Sequence, residues 1–225
     1  MRKILIYFTL LLMFSGASAT AGDFWDLFNC GRGIKGSGDR VTESRDLDNF
    51  TVIEATASFD IYVRVGEEQS LEITFDDNLI DLVTTRIHGH RLKISCEENY
   101  LSRRGCRIDI TVPELERVKL TGSGDIDVVN LDNERFEFYL SGSGDMRAEG
   151  ETEELIVKVS GSGDINTREL EAKYVDARVS GSGDIKVYAV ESIDAKVTGS
   201  GDIDIWGHPE DIRRRVTGSG DISRR

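Results

Sequence analysis

The chain has 225 residues, of which 23 are glycine and 2 proline, with 41 acids against 28 bases and 3 cysteines. An apolar share of 39% supports a packed core and excludes bulk disorder, and glycine without a Gly-X-Y period excludes collagen. A net charge of −13 argues against nucleic acid or an anionic membrane as partner, because neutralising phosphate takes clustered Lys and Arg.

The first element reads as an export signal. Arg2 and Lys3 precede the apolar run from Ile4 to Phe14, and small residues end in Ala17-Ser18-Ala19. A basic start, an apolar stretch too short to span a bilayer and an A-x-A site predict a signal peptide over 1–19, cut after Ala19. Cleavage removes Arg2 and Lys3 and no acid, which takes the charge from −13 to −15. No later run approaches 18 apolar residues, so nothing spans a membrane after cleavage. Residues 20–33 form an N-terminal segment. It contains Cys30, where Asn29 is a poor fit to the small residue that precedes a lipoprotein cysteine.

Residues 34–225 read as a single domain, all-β from the start. Phe59-Asp60-Ile61-Tyr62-Val63-Arg64-Val65 and Ser70-Leu71-Glu72-Ile73-Thr74-Phe75 alternate apolar and polar residues. Runs 83–88 and 91–96 flank the turn Gly89-His90, and Asn78 to Leu82 suits one helical turn. Cys96 and Cys106 sit on strand-like runs either side of a polar stretch. In an oxidising compartment they are candidates for a disulfide, with free thiols as the alternative, and Cys30 is left over.

A repeat then takes over. Gly-Ser-Gly-Asp begins at Gly36 and again at Gly122, Gly142, Gly161, Gly181, Gly199 and Gly218, the last six spaced 20, 19, 20, 18 and 19 residues apart. A Ser or Thr precedes each of those six, and Ile or Met follows each. Between corners the pattern alternates, as in Leu155-Ile156-Val157-Lys158-Val159 and Ile193-Asp194-Ala195-Lys196-Val197. A unit of about 19 residues without a helix cannot bury its own apolar face, whereas stacked copies can. The expected fold is therefore a parallel β-solenoid, or β-helix, with about 19 residues per coil and corner repeats over 122–222. The copy at Gly36 lies 86 residues before the next and reads as an outlying strand edge.

The residues that carry a family resemblance are spread along the domain. They are Ile34-Lys35-Gly36-Ser37-Gly38, Phe50 to Ile53, Asp60-Ile61, Asp76 to Ile80, Leu92-Lys93-Ile94, Ile110-Thr111-Val112-Pro113, the serial corners, and Ile205 to Pro209. Over about residues 34–222 the chain resembles the putative auto-transporter adhesin, head GIN domain family. The resemblance implies a secreted β-helix-like domain of Gram-negative bacteria with an adhesin role, and it carries no catalytic residues.

Stacking places six carboxylates in one column: Asp125, Asp145, Asp164, Asp184, Asp202 and Asp221. Capping of the turns is the expected role, with a weak Ca²⁺ site as the alternative. One Asp per corner supplies few of the 6–8 oxygens that Ca²⁺ takes. His88, His90 and His208 read as exposed, so no metal and no cofactor is expected. No nucleophile–base constellation stands out. Arg213-Arg214-Arg215 predicts either a slip in register or an open solenoid end, because Arg214 falls on the inward face of an alternating strand. The expected function is a non-enzymatic binding or adhesion module of the cell envelope, in the periplasm or at the surface. Its partner would be a glycan or an envelope protein. The alternatives are an envelope scaffold without a specific ligand and, third, a polysaccharide-active enzyme.

Overall fold

The computed structural model describes residues 33–225, residue 57 excepted. The expected signal peptide, Cys30 and all but the last residue of the 20–33 segment lie outside the described residues.

Apart from one 3₁₀ turn at Ile80–Leu82, every regular element among the described residues is a strand. The first half contains β1 (Ile34–Lys35), β2 (Arg40–Ser44), β3 (Val52–Thr56), β4 (Phe59–Val65), β5 (Ser70–Asp76), β6 (Val83–His88), β7 (Arg91–Cys96), β8 (Tyr100–Leu101), β9 (Cys106–Val112) and β10 (Arg117–Gly122). Four long strands follow: β11 (Asp125–Gly142), β12 (Met146–Gly161), β13 (Ile165–Gly181) and β14 (Ile185–Gly199). β15 (Ile203–Trp206), β16 (Asp211–Gly218) and β17 (Ile222–Arg224) end the stack.

Each long strand is most of one coil. It leaves a Gly-Ser-Gly-Asp corner, turns through a short return and runs to the next corner. β11 to β14 pair in parallel order along the stack, and β14 then pairs with both β15 and β16. The wall has two main faces, one before the corner and one after it. Alternation puts Leu155, Val157 and Val159 inside while Lys158 and Ser160 face out. On the post-corner face, Ile61, Ile126, Met146, Ile165, Ile185, Ile203 and Ile222 form one register column. Opposite it runs Val118, Phe138, Val157, Ala177 and Ala195, all fully buried. This column shrinks from Phe to Ala along the axis.

The N-terminal end is closed differently. Parallel pairing continues through β3 to β7 on one face and through β4 to β9 on the other. Each face then ends in antiparallel strands, β6 on β7 and β5 followed by β2 on β9. At the other end the register does not slip. Arg214 stands opposite Ala195 in the inward column, and its Nη1 donates to the carbonyl of Ile222 on β17 at 3.2 Å. An arginine therefore crosses the end of the interior from one face to the other.

The glycines of the corner are a steric requirement. The first glycine of each of the six repeated corners has φ between 130° and 146°. A Cβ on Gly181 would strike the carbonyl oxygen of Gly161 in the coil below, and a Cβ on Gly183 would strike that of Gly163. The Gly161 carbonyl also accepts amides from the next coil, from Ser182 N at 2.8 Å and from Gly183 N at 3.2 Å. The copy at Gly36 shares the letters but not the geometry. There the positive φ is at Gly38, and the loop is tied to a neighbouring turn by Ser37 N donating to Asn78 Oδ1 at 2.9 Å.

Candidate functional site

The aspartate column is a hydrogen-bonded ladder between coils. Asp125 Oδ1 accepts the backbone N–H of Asp145 at 2.9 Å, and the pattern repeats up the stack to Asp202 accepting from Asp221 at 2.7 Å. The carboxylates thus reach the next coil rather than their own turn, and the side chains line one corner, exposed except for the half-buried Asp184. Among the described residues no group of three or more His, Cys, Asp or Glu is placed to hold a metal ion. His88 and His90 flank the β6–β7 turn and His208 lies on the segment after β15, all exposed. Cys96 and Cys106 are both thiols here. Cys96 Sγ donates to the Glu98 carbonyl at 3.1 Å, and burial pushes the Cys106 thiol up to about 12.

A second cluster was not anticipated from the sequence. Glu137, 8% exposed, accepts from Arg117 Nε and Tyr139 Oη, each at 2.7 Å, and from Arg135 Nη2 at 3.1 Å. Arg135 also donates to Glu154 at 2.8 Å. Burial alone would raise the Glu137 carboxyl, but the hydrogen bonds from Arg117, Tyr139 and Arg135 outweigh it and bring it down to about 2. Tyr139 is pushed up to about 12 by burial and by its bond to Glu137. Arg117, Arg135 and Glu137 line a cleft of about 520 Å³ at the return of the first long coil, together with Glu114, Leu115 and Asn133. Its guanidinium groups and carboxylates are paired with each other, which makes it a clamp between β10, β11 and β12 rather than a reactive centre. The signal for it was a column alignment: Arg117 precedes Glu137 by 20 residues, the repeat interval.

The third feature lies on the outer surface of the post-corner face. Tyr62 is 39% exposed, and the Arg107 guanidinium sits 4.1 Å over its ring. Arg107 is itself held by a fork to Asp109, at 2.8 and 2.7 Å. Two depressions meet at Tyr62, Asp127 and Val129. One, of about 360 Å³, runs over Ser70, Arg107 and Thr111; the other, of about 490 Å³, runs over Arg147, Asn166 and Arg168. Beyond it Arg168 lies 5.7 Å from the Trp206 ring centroid. Beside Tyr62, Asp60 is raised from the ordinary carboxylate value by burial and by the neighbouring charge of Asp125. Sequence reading treated Tyr62 only as an outward strand position. Its distinction arises from the strands that pairing sets beside it.

No helix among the described residues is long and apolar enough to cross a membrane. No curated protein matches the chain. The crystal structure of a putative adhesin from Bacteroides fragilis NCTC 9343 is similar at 27% identity and a TM-score of 0.71, covering 86% of this chain and 100% of that one. The same fold recurs in a putative lipid binding protein from Parabacteroides distasonis ATCC 8503, at 23% identity and a TM-score of 0.60, over 85% of this chain and 99% of that one. It also recurs in a putative adhesin from Parabacteroides merdae ATCC 43184, at 20% identity and a TM-score of 0.56, over 85% and 98%. The model of one family, "Putative auto-transporter adhesin, head GIN domain", matches residues 49–209, most of the described domain, and the chain belongs to that family.

Proposed function

We propose that the protein is an exported, non-enzymatic attachment module of the bacterial cell envelope. It is released from its signal peptide after Ala19 and holds a glycan or an envelope protein on the outside of its solenoid. The observation that carries this is the open groove across Tyr62, an exposed aromatic ring set among paired charges on a rigid wall. Rigid aromatic platforms with satisfied polar neighbours suit binding, since little side-chain freedom is lost when a partner arrives. The adhesin label of the family supports the same role. We infer that the aspartate ladder is structural, because each Oδ1 from Asp125 to Asp202 is already committed to the next coil's amide.

One observation favours a second role as an envelope scaffold. The outer edges of β16 and β17 have no partner among the described residues, and unpaired edges invite stacking of copies. Charge opposes it, since Arg213, Arg215 and Arg224 would bring like charges together in a tail-to-tail contact. Co-sedimentation of the full chain with envelope fractions, beside sedimentation of the chain alone, separates the two. Saturable capture with a monomeric free protein is the expected result. Concentration-dependent filaments without capture would replace the module with the scaffold, and turnover of an envelope polysaccharide would replace both with an enzyme.

A further inference from the structure

We propose that the groove across Tyr62 is a binding site for a linear, uncharged oligosaccharide, a proposal that rests on the attachment role and gives it a site and a ligand class. The groove crosses β5, β9, β4, β11, β12 and β13 in their pairing order, five inter-strand steps or about 24 Å. That is a path for a short extended polymer.

The walls decide its chemistry. Four arginines line the groove, Arg64, Arg107, Arg147 and Arg168, and five carboxylates stand among them. In a chain of net charge −13 this surface is close to balanced. A polyanion selects an excess of cations and a polycation an excess of carboxylates, and neither excess is present. Hydroxyl groups both donate and accept, so a polyol meets guanidinium donors and carboxylate acceptors alternating along its length. The apolar C–H face of a pyranose ring packs on an aromatic side chain, and Tyr62 stands where the two depressions join. Its ring is held by Arg107, which Asp109 holds in turn. The ring is therefore positioned before any ligand arrives. At the far end Arg168 stands 5.7 Å from the Trp206 ring centroid on β15.

A peptide strand fits this surface poorly. Strand addition takes main-chain groups from a sheet edge, whereas this groove lies on a sheet face whose backbone is committed to the ladder.

The test uses the purified full chain on an array of uncharged linear oligosaccharides with gluco, galacto, manno and xylo backbones, with calorimetry on any hit. Tyr62→Ala and Tyr62→Phe are measured in parallel, and their melting curves establish that both are folded. The expected result is binding of at least one backbone, weakened about tenfold or more by Tyr62→Ala and within about twofold of wild type in Tyr62→Phe. Binding that Tyr62→Ala leaves unchanged would overturn the site while keeping the attachment role. Capture by envelope fractions with no uncharged glycan bound would overturn the ligand class and again keep the attachment role. Failure of both glycan binding and envelope capture would remove the site and the role together.

Discussion

Gly181 illustrates how little freedom a corner residue has. Its φ of 136° excludes ordinary side chains, and a Cβ there collides with the Gly161 carbonyl one coil below. Gly181→Ala is expected to cost at least about 3 kcal/mol, because strain and collision add. Gly38 is the control: its φ is 93° but nothing lies within 4 Å of an added Cβ. Gly38→Ala should cost only about 1–2 kcal/mol, both values read from urea unfolding. Glu137 makes a pH-dependent contribution. Its carboxyl is lowered from 4.5 to about 2 in the folded protein, so the stabilisation is complete above pH 4.5 and is lost as the pH falls through 4.5 toward 2. With its arginine partners partly exposed, roughly 1–3 kcal/mol is at stake. Glu137→Gln should flatten the acid limb of a stability profile measured between pH 7 and pH 3, and an unchanged slope would reject the assignment. The corner glycines were legible in the sequence because the steric demand repeats. The Glu137 cluster was less so: the repeat interval aligns Arg117 with Glu137, but alternation gives the face a side chain takes and not that Arg135 and Tyr139 reach the same carboxylate.

At the scale of the coil, the unit that matters is one corner bound to the next. Asp164 Oδ1 accepts the Asp184 amide at 2.8 Å, so Asp164→Ala leaves that N–H without its charged acceptor. A loss of about 1–2 kcal/mol is expected, with Asp164→Asn retaining part of it. Asp221 accepts no coil-to-coil amide bond among the described residues, so Asp221→Ala should change stability by less than about 0.5 kcal/mol. Equal losses at the two positions in thermal unfolding would show that the ladder bonds carry no stability. The main faces of the long coils were readable because the repeat interval sets their register, as the Ile126-to-Ile222 column shows. The returns were not. Register shifts fall there, between Val128 and Leu131, between Arg147 and Glu149, and between Thr167 and Glu171. Return lengths differ from coil to coil, and Asn130 turns at a φ of 61°, so no periodic pattern reports the pairing.

On the scale of the whole molecule, a stack of coils must end its interior somehow, and the two ends use different means. Antiparallel strands close one end, a change of direction that alternation alone could not reveal, since it does not distinguish parallel from antiparallel partners. At the other end Arg214 occupies the column position of Ala195 and spans to the Ile222 carbonyl. A charge at this position is one way to discourage a second copy from stacking on the rim. Arg214→Leu is expected to raise self-association in sedimentation velocity, whereas a monomer unchanged at high concentration would rule out that protective role. The long wall between these ends carries the groove across Tyr62, and the proposed attachment role requires that face to be reached from outside. Antibody labelling of intact cells, with an epitope placed in the exposed turn at Glu67–Glu68, tests this most directly. The account predicts labelling of intact cells without permeabilisation. Labelling that appears only after permeabilisation would contradict it.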